Sequence, residues 1–212
     1  KKIVLKEEWM VGFITTWIVG LLAHAYRFFN FLPIWDSIYN FTGVGSTYTL
    51  GRWFLGYAGL ITSMFDLPWV NGAFSLFYIS IVVILLTEMF EIKNKGMIVL
   101  CAAIFVSFPT VVSSFAYMYT ADAYLLAFLL ATLAVYLTWC VKKWGTIAGM
   151  VCLAFAMGIY QAYATVAIVL VLLYIIRQFV IEKLDFLEAV RKDLKYLGML
   201  VGGAVLYAVI LK

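Results

Sequence analysis

Charge is what this chain has least of: 12% of its 212 residues are charged, against 66% that are hydrophobic. No soluble core of this length needs that much apolar surface. Histidine occurs once, and the three cysteines form no CxxC pair, so there is no zinc-binding pattern. Cys101, Cys140 and Cys152 fall inside or at the ends of apolar runs and read as small packing residues. A glycine-rich nucleotide loop, a Walker lysine and paired carboxylates at metal-ligand spacing are all missing. A nucleotide-fuelled reaction is therefore unsupported, no cofactor is predicted, and a divalent metal finds no support. The net charge of +4 is no nucleic-acid footprint, because the basic residues sit in short clusters between apolar runs.

Those runs approach the roughly 20 residues that a spanning helix requires. Candidate spans cover residues 9–29, 69–90, 97–117, 121–140, 145–159, 163–181 and 196–211. Every second connection is basic: Lys1, Lys2 and Lys6, then Lys93 and Lys95, then Lys142 and Lys143, then the stretch 177–195. By the positive-inside rule this places the N-terminus in the cytoplasm. The expected fold is all-α, a polytopic helical membrane protein of about seven spans, built as a single domain over residues 1–212. Ala23-His24-Ala25 mimics a signal cleavage site, but the run before it is long enough to span and further spans follow. The chain starts without Met and stops at Lys212 in mid-hydrophobic run, so the expectation is a longer protein truncated at its C-terminus.

On that topology Asp36, Asp66 and Asp122 all lie on the outer side, in or beside the connections 30–68 and 113–122. The run 53–65 is too short to cross and is expected to form an interfacial or re-entrant outer helix between the first two spans. Trp35, Tyr39, Tyr48, Trp53, Tyr57 and Trp69 suit the headgroup layer. On the inner side, Val180, Leu184, Leu187, Val190, Leu194 and Leu197 recur at spacings of three and four. Glu182, Asp185, Glu188, Arg191, Lys192 and Lys195 fill the other positions, which predicts an amphipathic helix on the cytoplasmic surface.

Ionisable residues at membrane depth are costly, and each has a functional and a structural account. Asp36, three residues after Pro33, could take a proton from an acceptor hydroxyl, or it could cap a short helix starting at Ser37. His24 and Arg27, three apart on one helix face, are candidate phosphate partners; packing and headgroup contact are their structural alternatives. Arg52 follows Gly51, which lets the backbone bend, and its planar fork matches two phosphate oxygens. Asp122 could bind sugar hydroxyls or cap a helix. Tyr160 and Gln161 offer a phenol and an amide of the kind that contact sugars, at a depth where tyrosines are common anyway.

The run His24-Ala-Tyr-Arg27, Leu32-Pro33, Trp35-Asp36-Ser37 and Gly51-Arg52-Trp53 resembles the bacterial serotype-converting glucosyltransferases of the Gtr type-II family. Tyr119-Thr-Ala-Asp122-Ala-Tyr124 and Gly158-Ile-Tyr160-Gln161-Ala162 extend the resemblance. It implies a membrane glycosyltransferase similar to the GT-C class, located in the bacterial cytoplasmic (inner) membrane with its active face exoplasmic. The implied donor is a polyprenyl-phosphate sugar and the implied acceptor a glycan such as O-antigen. Asp36 matches the first-loop catalytic acid of such enzymes and Asp122 a second outer acid. A lipid-linked sugar flippase is the competing class, but it predicts polar residues spread through mid-membrane, where these spans are nearly free of charge.

Overall fold

The structure, a computed structural model, describes residues 6–39, 48–62, 65–183 and 185–212. These residues form a bundle of helices with no strand among them. Helix α1 (Glu7–Phe29) carries Glu7 and Glu8 in its first turn and Arg27 in its last, each sign at the helix end that favours it. Two short helices, α2 (Trp35–Tyr39) and α3 (Leu55–Ala58), lie in the connection to α4 (Pro68–Met89), which opens on a proline with no N–H to leave unsatisfied. Asn94 caps α5 (Lys95–Ser107), accepting from the Met97 N–H at 3.1 Å. Pro109 cannot continue that helix, and the chain restarts as α6 (Pro109–Ser114). Helices α7 (Met118–Cys140), α8 (Gly145–Ile159), α9 (Ala164–Arg177) and α10 (Phe186–Leu211) complete the bundle.

Six stretches are long and apolar enough to cross a membrane, so the protein is a polytopic helical membrane protein. The seventh expected span, α8, has 15 residues, about 22 Å of rise. It nevertheless runs from one end of the bundle to the other. The Thr138 carbonyl, before it, accepts from Lys195, while Gln161, just after it, bonds the Leu50 carbonyl at the opposite end. Helix α7 packs between α4 and α8, and half of the residues in the apolar windows of α4 and α7 are buried. Helices α1, α5–α6 and α10 present most of their surface outward, as lipid-facing helices do.

The two ends differ in chemistry. Where α1 begins, Lys6 pairs with Glu88 at 2.7 Å, Lys95 with Glu7 at 2.5 Å, and Arg177 with Glu91 at 3.1 Å and Glu182 at 3.0 Å. This is the Lys6 end; the opposite one, where α4 and α7 begin, is the Asp122 end.

Three expectations need correction. Residues 186–211 form one helix, so the amphipathic stretch is the first half of the last span rather than a separate surface helix. Leu187, Leu194 and Leu197 point outward, while Ala189, Asp193, Tyr196 and Met199 are buried against the bundle. The same periodicity arises whenever a helix shows its apolar stripe to lipid and its mixed stripe to neighbours. The break falls earlier, at a π-helical turn (Gln178–Glu182) and Lys183 with φ 52°. Among its described residues the run 53–65 is helical only over Leu55–Ala58, because its side chains dock into the bundle: Leu55 is buried beside Ala123, Ala127 and Ile159. Finally, Cys101 and Cys140 are exposed on the bundle surface; Cys152 alone of the three packs against the core.

Candidate functional site

Asp122 lies in the second turn of α7 and is buried. Asn71 Nδ2 donates to its Oδ1 at 3.1 Å and Thr62 Oγ1 to its Oδ2 at 3.1 Å. The Leu67 N–H donates to Asn71 Oδ1 and the Asn71 N–H to the Leu67 carbonyl, both at 2.9 Å. Both ends of the loop 62–71 are thereby fastened to one carboxylate. Hydrogen bonds to a charged group are worth about 1.5–3 kcal/mol each, so Asp122 is a strut between α4, the loop and α7. It does not serve as the helix cap; α7 starts at Met118.

Two motifs from opposite halves of the chain interlock nearby. Gly51 has φ +77°, and a Cβ there would meet Gln161 Nε2 and Tyr207 Oη at 2.4 Å. Gln161 Nε2 donates to the Leu50 carbonyl at 2.7 Å and to Tyr207 Oη at 3.0 Å, and Tyr207 Oη donates to the Gly51 carbonyl at 3.0 Å. The Phe54 N–H donates to the Gly158 carbonyl at 2.8 Å, and the Trp53 indole lies against Gly158, where only glycine leaves room. Trp53 therefore packs inward, unlike exposed Trp35, Tyr48, Tyr57 and Trp69; the Tyr39 side chain lies outside the described residues.

This turn sets the Arg52 guanidinium 4.5 Å above the Tyr160 ring. Tyr160 stacks on Tyr124 at 5.5 Å and meets Tyr163 edge-on at 6.3 Å. A cation over an aromatic face gains about 0.5–2 kcal/mol. Arg52 Nε is buried with no hydrogen-bond acceptor among the described residues. Gln161, by contrast, uses its amide to hold the turn rather than offering it outward.

The other expected phosphate partners are built into the fold. Arg27 donates from Nε to the Phe115 carbonyl at 2.8 Å, from Nη2 to the Ala116 carbonyl at 3.0 Å, and from Nη1 to the Leu32 carbonyl. Two of its five donors thus cap the C-terminal end of α6, and a third ties in the connection after α1. His24 Nε2 lies 2.9 Å from the Val106 carbonyl, one of those left open where α5 stops before Pro109, and its ring packs on Phe115 at 4.6 Å. Asp36 is exposed on α2, inside the first turn; the Ser37 hydroxyl accepts from the Ile34 N–H at 3.2 Å and closes that turn instead. Asp36 and Asp122 share an end of the bundle, the first on the rim and the second beneath it.

Sequence reasoning missed Asn71, Thr62 and Tyr207 as partners of the site. A lone Asn in the first turn of an apolar span was the one available signal. It also gave Asp66 no role. Both Asp66 carboxylate oxygens are buried with no hydrogen-bond donor among the described residues, and the charge of Arg27 acts across to it.

A continuous groove runs along α7 between α5–α6 and α9. It comprises cavities of about 330, 400 and 450 Å³, all three lined by Thr110 and Val166. Its mouth, at the Asp122 end, is formed by Ser113, Tyr117, Tyr124 and Tyr160; Phe108, Leu125 and Phe128 follow, and Leu86 and Leu173 lie deepest. On the other side of α6 a separate cavity of about 500 Å³ is lined by His24, Arg27, Pro33 and Ile34. Val112, Phe115 and Ala116 face that cavity, and Ser113, Ser114 and Tyr117 face the groove. Among the described residues no three His, Cys, Asp or Glu side chains are grouped to hold a metal ion.

In this multi-pass membrane protein, sequence-distant motifs thus meet at one end of the bundle, beside an apolar groove. Residues 25–212 match glucosyl transferase GtrII, and the chain belongs to that glucosyltransferase family. No curated protein and no solved structure matches it.

Proposed function

We propose that the protein moves glucose, or a similar hexose, from a polyprenyl-phosphate carrier to a cell-surface glycan such as O-antigen. The reaction takes place on the exoplasmic face of a bacterial cytoplasmic membrane, since the basic connections belong to the Lys6 end. The observation that carries this reading is Arg52, held over Tyr160 at the aromatic mouth of the α7 groove with Nε unsatisfied. The groove suits an isoprenoid chain, apolar along its length and open to lipid. Its mouth would place the carrier's phosphate beside the guanidinium.

As the bond between the anomeric carbon and the phosphate oxygen breaks, negative charge grows on the phosphate. A guanidinium already fixed in place stabilises that charge without reorganising. Tyr160 fixes Arg52 by stacking, and Gln161 and Tyr207 fix it through the Gly51 turn. Asp36, on the exposed rim, acts as the acid that orients the acceptor glycan. Arg27, His24 and Asp122 hold the elements that surround the reaction. No nucleotide binds in this scheme, and no metal enters it.

The test is an assay with synthetic polyprenyl-phosphate glucose and purified acceptor glycan. Polyprenyl phosphate should be released only when acceptor is present, and glucose should appear on the glycan. Movement of intact lipid-linked glucose across proteoliposomes without transfer would establish a flippase and overturn the proposal.

A further inference from the structure

Resting on that transferase reading, we propose that the α7 groove grips only the first three isoprene units of the donor's lipid, so that the protein selects its carrier by a minimum chain length and is indifferent to the rest of the chain. The groove changes character along its course. Its mouth carries hydroxyls, from Ser113, Tyr117, Tyr124 and Tyr160, beside the Arg52 guanidinium. Below the mouth, Leu125, Phe128, Leu86 and Leu173 make the lining largely apolar. Thr132 and Thr165 also line the deep part, but each hydroxyl donates to a carbonyl one turn back, those of Phe128 and Ala162. A phosphate-linked sugar suits the first part and a hydrocarbon the second.

Two helices measure the depth. Leu173, at the deep end, lies ten positions beyond Tyr163 at the mouth, about 15 Å at the helical rise; on α7, Thr132 lies eight beyond Tyr124, about 12 Å. Each isoprene unit adds four carbon–carbon bonds to a chain, about 5 Å when extended. Three units fill that depth, and two leave its deep end empty. The flank is not closed, because Phe108, Val169 and Leu173 are exposed. A fourth unit therefore leaves sideways, and the groove sets a minimum length without a maximum. Lipid tails solvate an isoprenoid as well as apolar side chains do, so burial alone gains little here. What the groove adds is close packing along one face of the chain and a fixed direction for the phosphate at its head.

The experiment gives the purified full chain synthetic prenyl-phosphate glucoses of one, two, three, four, six and ten isoprene units in mixed micelles, with acceptor glycan in excess. From one unit to three, kcat/KM should rise about 10- to 100-fold, and from three to ten it should stay within about threefold. A series that levels off before three units, or climbs more than threefold beyond them, overturns the proposal and leaves the transferase reading intact. Val166 lines every part of the groove. Val166→Trp should bring the ratio of three-unit to one-unit kcat/KM below about three, because the indole takes the path of the chain. A folded, active variant that keeps a higher ratio would show that the length dependence comes from partition into the micelle, and overturns the proposal. Should that variant fail to fold or transfer nothing, Leu173→Trp carries the test, and the ratio of three-unit to two-unit kcat/KM should fall to about one. The wild-type ratio persisting there likewise overturns the proposal. Wild-type protein that transfers no glucose from any of these donors overturns the transferase reading and the chain-length selection together.

Discussion

The two ends of the bundle differ in how they hold most of their charge. At the Lys6 end, most charges meet opposite charges: five ion pairs among the described residues lie there, Glu182 serves both Arg177 and Lys192, and only Asp193 and Lys195 turn to a neutral amide and a carbonyl. At the Asp122 end, charged side chains meet neutral groups. Asp122 is held by an amide and a hydroxyl, Arg27 by carbonyls, and Arg52 by a phenol ring. A charge neutralised by its partner has little left for a ligand. A charge held in place by neutral groups keeps its field and is already positioned, which is the condition for stabilising charge that develops during a reaction. The difference separates an end built to sit in the headgroup layer from one built to act on something.

The comparison breaks most severely if Asp122 is lost. Asp122→Leu removes two hydrogen bonds, leaves Asn71 Nδ2 buried without this acceptor, and leaves the Thr62 hydroxyl only the longer 3.4 Å bond to the Gly59 carbonyl. The expected destabilisation is about 3 kcal/mol or more, with transfer abolished because the 62–71 loop is released. Thermal unfolding in detergent, followed by tryptophan emission, measures it. A variant that melts within 2 °C of wild type would mean that the loop is held by something other than this carboxylate.

Arg52→Lys isolates what the neutral setting gives a cation. The charge remains, but the planar fork and the stacking on Tyr160 do not. A loss of about 100-fold in kcat, about 2.7 kcal/mol of transition-state stabilisation, is expected with the fold intact. Equal activity would remove Arg52 from the phosphate and with it the distinction drawn between the two ends.

Much of this fold was legible because the membrane writes it into the sequence. Runs of apolar residues and alternate basic connections gave the spans within a few residues, including α8, whose length alone would have excluded it. The Pro109 break and the continuity of α10 were not legible, since both depend on neighbours: His24 meets an open carbonyl of α5, and lipid accepts the stripe that water would not. At the site, the residues of Gly51-Arg52-Trp53 and Tyr160-Gln161 stood out, and the structure brings them together. Their division of labour did not follow from residue type. Gln161 looked like a sugar contact and became a brace, and Asp66 was one acid among three until its shielded oxygens, with no donor among the described residues, set it apart.

Gly51→Ala tests how finely the Asp122 end is set. The φ of +77° disfavours any side chain, and the added carbon must displace Gln161 and Tyr207. About 1–2 kcal/mol of stability should go, with a larger proportional loss of transfer than of fold, because Arg52 moves with the turn. An alanine variant with normal kcat would show that Arg52 is placed by Tyr160 alone.

Glu7→Gln is the counterpart at the other end. Its pair with Lys95 is short at 2.5 Å, yet both side chains are more than half exposed, at 70% and 56%. Exposed pairs of this kind contribute between nothing and about 1 kcal/mol, because water already solvates both charges and holding two long side chains together costs rotamer freedom. The melting temperature should stay within about 2 °C, and kcat and KM should not change. Raising the salt concentration should likewise leave the variant and wild type indistinguishable, since screening has no pair left to weaken in one and little to weaken in the other. A tenfold fall in transfer from Glu7→Gln would instead mean that the two ends are coupled through α1, and that ion pairing at the Lys6 end sets the geometry of the site across the bundle.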